Sequence, residues 1–191
     1  MFALKKKYFL FIESIKDINL SNIKKRNKFI IIYRSKKIKD NINELKYFRK
    51  VCKQKLIDFY VANNPSLCIL LKSDGIYLSS YNKTFKTLNL KTKKFDIIGS
   101  AHNTHEISLK IKQGCKYILL SKLFLVDYNK NSSFLGINKF NIYLNGVYKK
   151  LIPLGGIKLN NLNKLRNVNC DGFALLSEIK KKPANIINRL F

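Results

Sequence analysis

LIPLGGIKLNNLNKLRNVNCDGFALLSEI, residues 151–179, reads as strand, glycine turn, helix and strand. Residues 151–154 form a short apolar run. Gly155-Gly156 ends it, where the backbone must turn tightly or come close to a ligand. Leu162, Leu165 and Val168 recur at helical spacing and predict a helix over 160–168. Residues 173–176 are a second apolar run, followed by Ser177-Glu178. A strand, a crossover helix and a parallel strand make a βαβ unit. Its two strand ends offer glycine amides, a serine hydroxyl and helix N-termini, groups that suit a phosphate. In a (β/α)8 barrel such a site is expected after strands seven and eight.

Working outward, six more apolar runs precede this unit: 8–12 (YFLFI), 29–33 (FIIIY), 57–62 (IDFYVA), 74–78 (DGIYL), 95–99 (FDIIG) and 117–120 (YILL). Between them, 41–56 is an amphipathic helix with Leu45, Phe48, Val51, Cys52 and Leu56 on one face. Residues 65–72 are a short helix with proline in its first turn. Residues 104–113 are a helix with Ile107, Leu109 and Ile111 as its apolar positions, stopped by Gly114. Residues 183–191 close the chain as a helix. Residues 17–25, 87–93 and 134–147 carry weak or mixed patterns. Nearly every run is followed by small or polar residues: Arg34-Ser35, Asn63-Asn64, Ser79-Ser80, Ser100, Ser121-Lys122, Gly155-Gly156 and Ser177. Parallel strands bring such ends to one face, the active-site face of a barrel. The expected fold is a compact (β/α)8 TIM barrel with trimmed helices and loops, one domain over residues 1–191. A doubly wound open sheet is the runner-up.

The 38 Lys+Arg against 11 Asp+Glu give a net charge of +27. Nucleic acid, an anionic surface or phosphorylated ligands would all suit it. The lysines are scattered through every segment and accompany many Asn and Ile, which favours a compositional bias of the surface over a nucleic-acid arm. Cys52, Cys68, Cys115 and Cys170 form no C-x-x-C pair and sit in apolar settings, as free thiols of a cytoplasmic protein do. No run approaches the ~18 apolar residues of a membrane span. His102 and His105 lie three apart without a third ligand, so no metal site is expected there. His102, at a strand end, is placed facing the pocket.

PLGGI at 153–157 with CDGFALLSEI at 170–179 resembles the paired end A-x-G-G-I … A-D-G-x-A-x-x-S-x-I of the thiamine-phosphate synthase/TenI family. IIGSAHNTHEI at 97–107 is similar to the family's I-G-x-S-x-H-x-x-x-E, SDGIYLSS at 73–80 to A-D-G-V-H-L, and YRSK at 33–36 to Q-x-R-x-K. The resemblance covers about residues 29–179. It implies a phosphate grip at Gly155, Gly156 and Ser177, with Arg34, Lys36, Asn63 and Ser100 as further substrate contacts.

The departures weigh as much. The family's synthase reaction joins hydroxymethylpyrimidine diphosphate to a thiazole phosphate with Mg²⁺ held by two aspartates. Asn64 and Asn82 stand at the matching positions. Neutral amides are weak ligands for a hard cation. Mg²⁺ is therefore expected only if synthase activity is retained. The loop after strand six offers Lys130 or Lys122 as its positive charge. The TenI branch isomerises a thiazole carboxylate phosphate without metal, and Lys122 matches its histidine after strand six. Lys122 can serve as a base only if burial lowers its pKa. The expectation is a TenI-like thiazole-phosphate or thiamine-phosphate binding protein. The alternatives are a divergent synthase, a non-catalytic phosphate-binding barrel, or a basic nucleic-acid-associated protein.

Overall fold

Eight short parallel strands close on themselves in chain order, each hydrogen-bonded to the next and the eighth to the first. The structure is a computed structural model and describes residues 7–23, 27–35, 40–87, 95–127, 131, 133–146 and 151–181. The strands are β1 (Lys7–Ile12), β2 (Phe29–Tyr33), β3 (Asp58–Ala62), β4 (Gly75–Leu78), β5 (Asp96–Ala101), β6 (Tyr117–Ser121), β7 (Leu151–Leu154) and β8 (Gly172–Leu175). All eight expected runs are strands, and the fold is the expected (β/α)8 barrel.

Alternation along each strand separates two apolar layers. Phe9, Phe11, Ile30, Ile32, Tyr60, Tyr77, Ile98, Leu119, Ile152 and Ala174 fill the barrel interior. Their neighbours in sequence face outward and pack under the helices. Two inward tyrosines end at opposite mouths. The Tyr60 hydroxyl donates to Asp96 Oδ2 (3.3 Å) at the N-terminal end, and the Tyr77 hydroxyl to Ser100 Oγ (2.7 Å) at the C-terminal end.

The α-helices among the described residues are α1 (Ile42–Gln54), α2 (Pro65–Leu70), α3 (Thr104–Lys112), α4 (Gly136–Asn145) and α5 (Ser177–Lys181). Asn41 caps α1 by accepting from Asn43 N, and Leu45, Phe48, Arg49 and Cys52 form its buried face. Leu56 leaves that face. The helix ends first, and Leu56 turns out to solvent at φ +55°. The segment expected as a helix over 160–168 is a 3-10 helix, Leu159–Asn167, which still buries Leu162 and Leu165. Two 3-10 turns, Ile15–Asp17 and Leu20–Asn22, replace a helix between β1 and β2. The helix expected over 183–191 lies outside the described residues.

Carboxylates stitch the N-terminal mouth. Asp74 accepts from Arg49 Nη2 (2.7 Å) and Phe59 N (2.7 Å), and Asp96 accepts from Lys116 Nζ (2.6 Å). Lys7 stands 3.6 Å from Asp58. Asp74 is therefore a turn residue of that mouth, away from the ligand face. No described helix is long and apolar enough to cross a membrane.

Candidate functional site

A cavity of about 210 Å³ opens at the C-terminal ends of the strands. Gly155, Gly156 and Ser177 line one side of it, and Tyr77, Ser79, Ser80 and Ser100 line another. Arg34, His102, Ser121, Asp127 and Lys158 add the charged and polar rim. Of the residues expected in the site, Gly155, Gly156, Ser177, Arg34, Ser100 and His102 all line this one cavity. Lys36 and Lys130 lie outside the described residues.

The glycine pair is required by geometry. Gly155 and Gly156 have φ of +91° and +69°, the left-handed region. A Cβ on Gly156 would land on the backbone carbonyl oxygens of Phe124 and Leu125. The turn after β7 therefore lies directly against the segment after β6. Phe124 N donates to Gly155 O (3.1 Å), and Asn161 Nδ2 to Gly156 O (2.8 Å), fixing the turn on both sides. Ser177 is exposed and opens α5, and the neighbouring Glu178 accepts from Leu159 N (3.4 Å). That bond ties the exits of β7 and β8 together.

The opposite wall is polar and closely bonded. Tyr77 is buried, and burial pushes its hydroxyl above the usual phenol range despite the Ser100 bond and the Arg34 charge, which both pull it down. Phe11 meets Tyr77 edge-on at 5.2 Å and holds the ring in place.

Asn63 is not among the cavity-lining residues. At φ +54° its side-chain oxygen accepts from Ser79 N (3.0 Å), Ser79 Oγ (3.1 Å) and Asn82 Nδ2 (3.1 Å), so it links the exits of β3 and β4. Lys122 is half-buried and follows the cavity residue Ser121 without lining the cavity itself. Its carbonyl accepts from Leu135 N (2.9 Å). His102 N donates to Glu106 Oε2 (2.7 Å), which fixes the start of α3, and His105 is exposed.

Sequence reasoning missed Tyr77, Lys158 and Asp127. Alternation in GIYL could have turned Tyr77 inward. Lys158 stands two residues past the glycine pair, hidden among the other lysines. Asp127 bonds Lys158 Nζ and also Lys181 Nζ (3.2 Å), and these two ammonium groups hold its carboxyl below the usual range.

The family's divalent cation can be tested against the donors present. Asn64 Oδ1 accepts from Leu67 N (3.0 Å) as the cap of α2. Asn82 Oδ1 accepts from Thr84 N (3.1 Å), and its amide donates to Asn63. Both oxygens are neutral and already committed. Among the described residues Asp127 is the one carboxylate lining the cavity, and two lysines hold it. Among the described residues no group of three His, Cys, Asp or Glu side chains converges. This donor set does not fit Mg²⁺, which takes anionic oxygens in a tight octahedron.

Residues 18–179 match the family described as TMP-TENI, thiamine monophosphate synthase. A thiamine-phosphate synthase of Prochlorococcus marinus subsp. pastoris is 30% identical over 140 residues, 73% of this chain and 40% of that protein. One from Helicobacter pylori (strain Shi470) is 29% identical over 134 residues, 69% of this chain and 60% of that protein. The alignments thus span less than two thirds of these curated relatives. Thiamine phosphate pyrophosphorylase from Pyrococcus furiosus has the same fold. Its TM-score is 0.77 at 14% identity, covering 98% of this chain and 95% of that one. Barrel, glycine turn and strand-end cavity agree with the sequence match: the chain belongs to the thiamine monophosphate synthase (TMP-TENI) family.

Proposed function

We propose that the cavity binds a thiazole phosphate or thiamine phosphate and that the chain acts in the TenI manner, isomerising a thiazole carboxylate phosphate without a divalent cation. The phosphate lies at Gly155, Gly156 and Ser177, with Lys158 as its counter-charge. The ring faces Tyr77, Ser79, Ser80 and Ser100, and Arg34 meets the carboxylate. The observation that carries this reading is the state of Asn64 and Asn82. Both are neutral, and the side-chain oxygen of each accepts from a backbone N–H, of Leu67 and of Thr84. Loss of diphosphate, which the synthase reaction requires, finds no cluster of anionic metal ligands among the described residues to support it. Isomerisation needs only a proton carrier. His102 on the cavity rim and Lys122 beside Ser121 are the candidates. The four cysteines, free thiols, suit a cytoplasmic setting.

The second reading is a divergent thiamine-phosphate synthase, favoured by the names of the curated relatives. A paired assay separates the two. Tautomer conversion of the carboxythiazole phosphate is followed in EDTA. Thiamine phosphate formation from hydroxymethylpyrimidine diphosphate is followed with Mg²⁺. Conversion in EDTA, abolished by Ser177→Asp, is the expected result. Metal-dependent thiamine phosphate without tautomer conversion would replace the first reading by the second.

A further inference from the structure

Among the described residues Lys110 is the one buried lysine, with no solvent exposure. It projects from α3, and its stem crosses β5 where Gly99 has no side chain. A Cβ on Gly99 would stand 2.8 Å from Lys110 Cδ. The ammonium emerges behind the loop that follows β4. Its three protons meet three oxygens: Ser79 O (2.8 Å), Asn82 O (2.7 Å) and Gln113 Oε1 (2.9 Å). Gln113 is equally buried, and its amide donates to Asn82 O (3.0 Å) and Thr84 O (2.7 Å). Four of these five bonds end on main-chain carbonyls of residues 79–84. The fifth joins the two side chains.

All three acceptors of the ammonium are neutral. Burying a charge on such terms is costly, and an apolar side chain of similar length would fill the same space without that cost. A bare ammonium has three donors and no acceptor, so the match to three carbonyl-type oxygens is complete. Burial accordingly holds its pKa below the ordinary lysine value, with Cys115 and Glu106 acting in the opposite direction. The loop it grips supplies Ser79 and Ser80 to the cavity and carries Asn82.

We propose that Lys110, with Gln113, is a positioning residue. It is a built-in cation that orders the 79–84 loop from behind, so that the ring-side wall of the cavity stands without a bound divalent ion. Lys110 itself does not reach the ligand and acts through Ser79, Ser80 and Asn82. The phosphate grip at Gly155, Gly156 and Ser177 stands on other strands and does not depend on it. The binding arm of the test rests on the functional reading above, whereas the loop arm does not.

The experiment compares the wild type with Lys110→Met and Gln113→Leu, each close in length to the native side chain. Hydrogen exchange by mass spectrometry is read on peptides covering 79–87 and on the strands. Affinities for thiamine phosphate and for inorganic phosphate are measured in EDTA and in Mg²⁺. Exchange across 79–87 should rise roughly tenfold or more in both variants, with strand exchange unchanged. Thiamine phosphate should bind roughly tenfold or more weakly, to the same extent in EDTA and in Mg²⁺, while inorganic phosphate holds within about twofold. Equal weakening of both ligands, or rescue by Mg²⁺, overturns the proposal. So does exchange that is unchanged at 79–87 or accelerated throughout the barrel. If Lys110→Met does not fold, Gln113→Leu decides by the same criteria. If the wild type binds neither probe, the functional reading fails and the exchange data alone decide on the tether.

Discussion

Replacing Gly156 with alanine separates the architectural role of the glycine turn from the ligand role proposed for it. At φ +69° an L-residue carries a left-handed penalty of roughly 1–2 kcal/mol. The added Cβ would also meet Phe124 O and, at 2.5 Å, Leu125 O. Both are backbone atoms that no side-chain rotation can move away. Overpacking of this kind costs roughly 1–3 kcal/mol. Gly156→Ala should therefore lose about 2–5 kcal/mol in all. Urea unfolding followed by far-UV circular dichroism measures this directly, and the absence of tryptophan makes that signal preferable to fluorescence. Ser177→Ala is the matching control, because Ser177 is exposed and its loss should leave stability within ~0.5 kcal/mol. A Gly156→Ala protein as stable as the wild type would refute the close apposition of the two loops. For the same reason Gly156→Asp would confuse misfolding with lost binding, whereas Ser177→Asp adds charge to the proposed phosphate grip alone.

Two further outcomes follow from the same geometry. Asn64→Asp should keep its stability within ~0.5 kcal/mol, because aspartate caps a helix as well as asparagine, whereas Asn82→Asp should lose roughly 1–3 kcal/mol by setting a carboxylate against the Asn63 carbonyl oxygen; equal unfolding midpoints for the pair would contradict this. The Cys52 thiol is pushed up by burial from 9.0 to about 12, so it stays neutral in the native state while the unfolded chain ionises. That stability is complete below pH 9 and is lost as pH rises towards 12, about 4 kcal/mol in full. Unfolding midpoints taken between pH 8 and 11 should show a smaller loss in Cys52→Ala than in the wild type, and identical slopes would reject the assignment.

The barrel was legible because its strands are continuous apolar runs, each closed by small or polar residues. The glycine pair and Ser177 were legible for a related reason, since residue type there is dictated by backbone conformation and position. What escaped was set by partners distant in sequence. Lys110 looks like one more solvated lysine, in a helix over 104–113 whose apolar positions are Ile107, Leu109 and Ile111. The observed buried positions are Ile107 and Lys110, and Ile111 is 46% exposed. Only the vacancy at Gly99, on another element, allows a lysine to turn inward. Asn63, Asn64 and Asn82 could be placed at strand exits from sequence. That their oxygens are already occupied depends on Ser79, Leu67 and Thr84, which only the fold assembles.

Gly99 and Lys110 are a single inheritance. A side chain at 99 would collide with the lysine stem and, at 2.9 Å, with Cys115 Sγ, so position 99 cannot be filled while both stand as they do. A lineage that fills 99 must first make room at both 110 and 115. In doing so it releases the loop after β4 and restores the need for some other means of holding it. Across relatives, the size of the residue at 99 should therefore vary inversely with that at 110, and barrels filled at 99 are where acidic residues at the positions of Asn64 and Asn82 should return.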